Sequence, residues 1–339
     1  MKLLFYFFIF LPAVLFSQLK IQGYVYDENG KPIIGSSVYV DGTTFGTSSN
    51  EFGFFSLQLP SKSNSLLVFR NIGYKTEFIE LKQVSGVLKI TLKREIKELK
   101  EIVIEKNIFS RKQLMQLFKS QFLGDNRAGK NCIIENEDQI YFTYDKMSNK
   151  LMAYSDEPLT IINNYLGYKI NYQLQDFQCK LSRLSVQKEF VVSCQFGGNS
   201  IFQEIVTSSK IQKRRQQSYE GSTLQFFRNL LNNNWSKDNF TLYKGSFPTN
   251  PNDHFKVISL DKNFYKIEVI SKSDIVVQDR FISQFNILYN NKSQSKLIFN
   301  ISEFNVDSYG VYSSYDSILL SGDISKQRIG DLLPTNFNK

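Results

Sequence analysis

Turn-forming glycines divide residues 19–93 into short segments in which apolar and polar residues alternate. Asn29-Gly30 and Asp41-Gly42 are strong turn dipeptides, and each follows a segment that alternates like a half-buried strand. Further segments of the same kind follow, the last of them at 87–92. The pattern predicts about seven short strands, and strands of this length and spacing are typical of an all-β sandwich.

The turn positions of this stretch also carry a family resemblance. From Gly23 to Leu57 the chain reads G-Y-V-Y-D-E-N-G-K-P-I-I-G-S-S-V-Y-V-D-G-T-T-F-G-T-S-S-N-E-F-G-F-F-S-L. This string resembles the carboxypeptidase-regulatory-like domain of Bacteroidetes, which is a transthyretin-like β-sandwich. The matching positions are Gly23, Val25, Asp27, Gly30, Pro32, Gly35, Val38, Val40, Gly42, Gly46, Thr47, Gly53, Phe54 and Leu57, followed by the glycine–aromatic step Gly73-Tyr74.

The resemblance implies an accessory role, because the same module precedes the plug of TonB-dependent outer-membrane receptors as an appendage and not as a catalyst. A metallocarboxypeptidase is excluded, since the chain has a single histidine, His254, and cannot build that enzyme's zinc site. A Ser-His-Asp triad would have to use His254, which lies in a loop-like stretch beside Pro248 and Pro251. The sequence therefore predicts no catalytic, cofactor-binding or metal-binding residues.

The first 17 residues have the pattern of an export signal. They read MKLLFYFFIFLPAVLFS, with a positive charge at Lys2 and an unbroken apolar run behind it. The run is shorter than the roughly 20 residues of a membrane-spanning helix. We expect a secretory signal peptide that is cleaved between Ser17 and Gln18. An uncleaved anchor and a buried N-terminal strand are the alternatives.

The remaining chain divides into three parts. The sandwich is expected to occupy 18–93, a linker of alternating charge 94–106, and a β-rich α+β domain of unknown function 107–339. Capping boxes at Ser110 and Ser222 predict two helices in the last part, and alternating segments predict strands around them. The fold class is thus mostly β, with a transthyretin-like β-sandwich followed by an α+β domain with two helices.

Three strings in the last part resemble exported Bacteroidetes proteins in which the sandwich precedes this region. They are P-L-T-I-I-N-N-Y-L-G-Y-K-I at 158–170, S-Y-E-G-S at 218–222 and R-I-G-D-L-L-P at 328–334. The resemblance implies an architecture and an exported location, and it implies no activity.

The chain has a formal net charge of +9, and its densest basic run is Lys210, Lys213, Arg214 and Arg215. Such a run is either a patch for phosphate or acidic glycan, or the solvated face of a strand or loop. The chain has 31 Lys but only 10 Arg. A phosphate-binding surface would favour Arg, so the excess of Lys indicates a bias of genome composition. We therefore favour the solvated face and keep the polyanion patch as the alternative.

Two of the three cysteines, Cys179 and Cys194, lie on neighbouring predicted strands. A symmetric hairpin would place them opposite each other, close enough for a disulfide, and would leave Cys132 unpaired. The alternative is three buried, reduced thiols.

Acidic residues offer two further interpretations. The pairs Glu135/Glu137 and Asp156/Glu157 would serve a glycosidase only at a defined separation, which the sequence does not determine. Asp27, Asn29 and Asp41 lack the ligand spacing of an EF-hand, which favours side chains that set local turns over a calcium site.

These observations predict a non-catalytic, exported cell-envelope protein located in the periplasm, at the outer membrane or on the cell surface. The sandwich would act as a docking module, and the second domain would bind an envelope protein or a glycan, with no nucleic acid and no cofactor. The alternatives are an envelope hydrolase that uses carboxylates in 107–339, and an accessory of TonB-dependent uptake. The oligomeric state does not follow from the sequence.

Overall fold

The computed structural model describes residues 19–95, 108–270 and 282–338. The predicted signal peptide, with Ser17 and Gln18, lies outside these residues, and so does most of the predicted linker, 96–106. The described residues form mostly strands with three α-helices, which confirms the predicted fold class. Their buried apolar side chains make up three separate clusters, two of them within the region predicted as one domain.

The first cluster lies between the two sheets of the N-terminal sandwich, whose strand orders are β4-β1-β7 and β3-β2-β5-β6. Val25 and Phe55 lie in its core. Gly53 holds a left-handed turn at φ 72°, and a Cβ there would stand 2.5 Å from the Val25 carbonyl oxygen, so the turn requires glycine. The strands are β1 (Leu19–Asp27), β2 (Ser37–Val40), β3 (Gly46–Ser48), β4 (Phe54–Leu59), β5 (Leu66–Arg70), β6 (Glu77–Glu80) and β7 (Val87–Leu92).

The second cluster lies between helix α1 (Arg111–Phe122) and a sheet of order β8-β11-β12-β10-β9, with β13 on the other side of β12. Ser110 caps α1 with the predicted capping box. On the buried face of α1, the Phe118 ring lies 4.8 Å from that of Phe177 on β12. The strands are β8 (Cys132–Ile134), β9 (Ile140–Asp145), β10 (Lys150–Ser155), β11 (Leu159–Asn163), β12 (Tyr168–Leu181) and β13 (Val191–Glu204).

A helix that the sequence analysis missed follows β13. The basic run was predicted as a strand face or loop, but it lies in α2 (Ser209–Tyr219), which Ser208 caps by accepting from the backbone N–H of Ile211. The inward face of α2 carries Ile211, Arg215 and Ser218 at helical spacing. Because two of these three buried positions are polar, the segment lacks the apolar period by which amphipathic helices are identified.

The third cluster surrounds helix α3 (Thr223–Leu231), together with sheets of order β15-β14-β18-β19-β21 and β16-β17-β20. Ser222 caps this helix as predicted, but Gln225 binds the Gly221 N–H, so the predicted capping box is only half formed. The strands are β14 (Phe240–Lys244), β15 (Phe247–Pro248), β16 (Phe255–Ser259), β17 (Phe264–Val269), β18 (Ser283–Tyr289), β19 (Ser293–Phe299), β20 (Glu303–Asp307) and β21 (Ile318–Gly322).

The C-terminal segment 327–338 brings together the three strings that the sequence analysis singled out. The buried Asn163 amide donates to the Gly330 carbonyl oxygen at 2.9 Å, and Gln327 donates to the Ser218 carbonyl oxygen at 2.7 Å. Ile329 and Phe337 enter the second cluster, where the Phe337 ring packs on Tyr219. The strings, far apart in the chain, thus form one structural junction.

Gly330 offers a test of this junction. A Cβ at Gly330 would stand 2.5 Å from backbone atoms of Gly129 and 2.6 Å from the Leu123 carbonyl oxygen. We expect Gly330→Ala to lower the free energy of unfolding by about 2 kcal/mol or more, because backbone on both sides has to move. Urea denaturation measures the change.

Gly197→Ala is the matched control, since a Cβ at Gly197 on β13 has no heavy atom within 4 Å. We expect this control to change stability by less than about 1 kcal/mol. Equal losses in the two variants would contradict a tightly packed junction at Gly330.

Candidate functional site

A cleft of about 830 Å³ opens between the sandwich and the sheet that contains β12. Strands β2, β3 and β5 form one wall, and β11, β12 and β13 contribute to the other. Uncharged hydroxyl and amide side chains line much of both walls, among them Ser37, Thr47, Ser48, Asn136, Thr160 and Asn171. These groups both donate and accept hydrogen bonds, so the cleft suits a polar ligand without net charge.

Backbone pairing joins the two walls. The turn after β2 meets the outer edge of β13. There the Phe202 N–H donates to the Thr43 carbonyl oxygen at 2.9 Å, and the Gly42 N–H donates to the Ser200 carbonyl oxygen at 2.8 Å. The Asp41 carboxylate accepts from the Ser200 N–H at 2.6 Å and from the Asn199 amide at 2.8 Å. Burial raises the pKa of Asp41, and these hydrogen bonds oppose that shift.

An ion pair crosses the cleft. The Arg70 guanidinium on β5 lies 2.7 Å from the Glu157 carboxylate, which precedes β11. Both side chains are partly exposed, so the pair contributes little to stability by itself. The pair matters for the cleft itself, because it joins the two walls and neutralises one of the carboxylates that line them.

The other carboxylate of the cleft, Glu204, is paired with Arg215. The Arg215 side chain is 1% exposed; it donates to the Leu166 carbonyl oxygen at 2.8 Å and lies over the Tyr168 ring. Buried charges are tolerated where they are paired and hydrogen-bonded in this way. Each carboxylate of the cleft therefore faces an arginine.

The structure does not bring the four predicted polyanion-binding residues to one surface. Lys210 and Lys213 are exposed on α2, and Arg214 packs against the Tyr165 ring at 4.4 Å. Arg215 points inward, as described above, and is inaccessible to a ligand in solution.

A second set of contacts joins the sandwich to the third cluster through Asp307. Its carboxylate accepts from the Asn64 N–H of the sandwich at 2.6 Å and from the N–H groups of Tyr309 and Val311 at 2.9 Å. Asp307 is fully buried, and desolvation raises its pKa to about 6 against these hydrogen bonds and the charge of Arg228.

The histidine and the acidic pairs that the sequence analysis considered are engaged in contacts within the protein. His254 is buried, with its Nε2 2.8 Å from the Thr249 hydroxyl and its ring against Phe285. Of the acidic pairs, Glu135 and Glu137 form ion pairs with Lys169 and Lys119.

The interpretation of Asp27 as a turn residue agrees with its hydrogen bonds to the N–H groups of Asn29 and Lys31. Cys179 and Cys194 face each other across β12 and β13, and all three cysteines are free thiols.

Sequence reasoning missed the roles of Asp41 and Asp307 between domains. Asp41 precedes Gly42 and has the local pattern of a turn residue, and Asp307 lies at the end of a strand. Both bind partners more than 150 residues away in the chain, for which a single sequence contains no signal.

Within the described ranges, no three His, Cys, Asp or Glu side chains come together as a metal site would need. Among the same residues, no helix has the length and apolar character required to cross a bilayer.

Comparison with known proteins bears on the sandwich. Residues 21–104 match the model of the family described as CarboxypepD_reg-like domain, which confirms the resemblance. The TonB-dependent receptor SusC of Bacteroides thetaiotaomicron is 35% identical over 97 residues, and the TonB-dependent receptor P39 of Formosa agariphila is 34% identical over 88 residues. The matches cover 28% and 26% of this chain but only 9% and 8% of those receptors.

Among the solved structures that align with part of the chain is the following example. It is a chain of a type II cohesin–X-dockerin complex from Acetivibrio cellulolyticus, with 17% identity over 21% of this chain and 51% of its own. The TM-score is 0.18, too low to establish a shared fold.

The pKa of Asp307 predicts a pH dependence of stability. Its value of about 6 in the folded protein exceeds the ordinary 3.8, so the folded state binds the proton more tightly than the unfolded chain. This contribution to stability is absent at pH 7 and grows as the pH falls through 6 towards 4. We expect the wild type to gain up to about 3 kcal/mol relative to Asp307→Asn over this range.

Urea denaturation of both proteins at several pH values measures the difference, and subtracting Asp307→Asn removes the contributions of all other carboxylates. A difference that falls as the pH is lowered would contradict the raised pKa. It would show that the three N–H donors outweigh desolvation at Asp307.

Proposed function

We propose that this chain, whose N-terminal domain is a CarboxypepD_reg-like domain, is a non-catalytic envelope protein that binds a neutral glycan in the cleft between its domains. The observation that carries the proposal is the lining of the cleft. Hydroxyl and amide groups stand on both walls, and the two carboxylates among them are paired with Arg70 and Arg215. Such a lining offers donors and acceptors to sugar hydroxyls without a net charge that would select an ionic ligand.

The joined walls support binding, because a ligand does not have to bring them together. Asp41 connects β2 to β13, and the Arg70–Glu157 ion pair connects β5 to the other wall. A site whose walls are already in place loses less conformational entropy when it binds its ligand.

The alternative hydrolase needs a different arrangement of carboxylates. A glycosidase uses one carboxylic acid with a raised pKa and a second carboxylate about 5–9 Å away. In the cleft, Glu157 and Glu204 are each engaged in an ion pair with an arginine, so neither carboxylate is left to act on a substrate as a glycosidase requires. These pairings favour binding over hydrolysis.

The location is part of the proposal and rests on the relatives. Two TonB-dependent receptors carry a sequence similar to the sandwich. We infer that this protein shares their compartment, the cell envelope with its outer membrane, and reaches it through the export signal expected at 1–17. Accessory function in TonB-dependent uptake is compatible with this location and with a glycan ligand.

Isothermal titration calorimetry with neutral hexasaccharides of glucose, mannose and xylose tests the cleft. Gln203→Ala and Asn171→Ala each remove an exposed amide from the lining, one on β13 and one on β12. For the sugar that binds, we expect the double variant to be weaker by about tenfold, the effect of two lost hydrogen bonds.

Gln195→Ala is the matched control, since Gln195 is an exposed glutamine on the same strand outside the cleft. Its affinity should equal that of the wild type. No binding of any hexasaccharide at about 1 mM, or equal affinities of the double variant and the wild type, would refute the glycan site.

A further inference from the structure

We propose that Cys179 and Cys194 are a redox site that closes to a cross-strand disulfide when the chain folds in the presence of a disulfide oxidant such as oxidised glutathione. Cys132 stays a thiol. The inference is independent of the glycan site, because it concerns a different part of the second cluster and a covalent change within the chain.

The strand register carries the proposal. Cys179 on β12 pairs directly with Cys194 on β13, and the flanking pairs Gln178–Gln195 and Lys180–Ser193 are in the same register. Directly paired residues of antiparallel strands have Cα atoms about 4.5 or 5.5 Å apart. Both distances lie within the range of about 4.4–6.8 Å that disulfides span, so the backbone spacing of this pair permits a bond.

The two thiols also share one environment. Cys179 lies in the second cluster, and Cys194 on the neighbouring strand packs against that cluster. The neighbouring Cys194 thiol lowers the pKa of Cys179 against the effect of burial, and the charge of Arg328 acts in the same direction as Cys194. The neighbouring Cys179 thiol and burial raise the pKa of Cys194. Pairing of β12 and β13 therefore brings the two sulfurs next to each other, as closure of a disulfide requires.

Cys132 provides an internal contrast. Its partner across β8 and β11 is Asn163, so it has no cysteine opposite it. Its thiol is directed at the Ala128 carbonyl oxygen, and burial raises its pKa to about 12. In the folded strand pairing Cys132 therefore has no sulfur opposite it with which to form a disulfide.

The reaction balances with glutathione as oxidant. The Cys179 thiolate attacks oxidised glutathione, forms a mixed disulfide and releases one glutathione thiolate. The Cys194 sulfur, as its proton leaves, then attacks Cys179 in the mixed disulfide and releases the second glutathione thiolate. Two protein thiols are oxidised to one disulfide, and one oxidised glutathione is reduced to two glutathiones, which take up the two protons.

Closure accompanies folding, because Cys179 is fully buried afterwards and glutathione has no access to it. The bond closes the β12–β13 hairpin and so ties β13, which carries Asn199 and Ser200, to the centre of its sheet. The sandwich is docked on these two residues through Asp41.

The full chain is refolded from denaturant in a buffer of reduced and oxidised glutathione, quenched with acid, alkylated under denaturing conditions and digested for mass spectrometry. We expect the peptides of Cys179 and Cys194 to be linked, with a combined mass lower by two hydrogens, and Cys132 to be alkylated. The linked protein should unfold on the order of 5 °C higher than the same sample treated with dithiothreitol.

Cys132→Ser is the matched variant, and it should form the same link and show the same shift on reduction. Alkylation of both Cys179 and Cys194 after refolding, or a link from either of them to Cys132, would overturn the proposal. The mass measurement on the wild type decides the question even where substitution of Cys179 or Cys194 prevents folding.

Discussion

The arrangement of the three clusters depends on one buried guanidinium. Arg228 extends from α3 and donates to the carbonyl oxygens of Tyr309, Thr335 and Phe337 at 2.7–2.9 Å. An arginine in the interior is tolerated only where its donors are satisfied, and the rigid fork of the group sets the positions of the three carbonyl groups. The C-terminal segment is thereby held against the third cluster, while Phe337 packs in the second.

The same segment reaches the sandwich. The Thr335 N–H donates to the Gly42 carbonyl oxygen at 2.7 Å, and the Asn336 side chain forms hydrogen bonds with Thr44. Gly42 in turn donates to Ser200 of β13, where Asp41 also binds. Hydrogen bonds thus join the C-terminal segment, the sandwich and β13. Because a hydrogen bond depends on direction, it specifies the relative orientation of two elements more narrowly than apolar packing does. These hydrogen bonds fix the positions of the two walls of the cleft, one on the sandwich and one on β13.

Local physics made much of the fold predictable and little of the site. The sandwich followed from turns and alternation, and Ser110 and Ser222 marked two helices, because these signals act within a few residues. Helix α2 was not predicted, because the polar residues Arg215 and Ser218 occupy its inward face. The cleft was not predicted either, because its walls meet through pairs such as Arg70–Glu157. The members of these pairs are distant in the chain, and the sequence around each of them carries no signal of its partner.

The scarcity of arginine in a lysine-rich chain has a structural counterpart. Arg70, Arg215 and Arg228 are committed to carboxylates or carbonyl groups between strands and clusters, where a planar group with several donors is needed. Lys210 and Lys213, by contrast, are exposed on α2. The positive net charge therefore does not concentrate in the cleft, where each carboxylate is balanced by an arginine. The neutral, hydroxyl-rich ligand that we propose would gain directed hydrogen bonds in such a site without having to displace an ion pair.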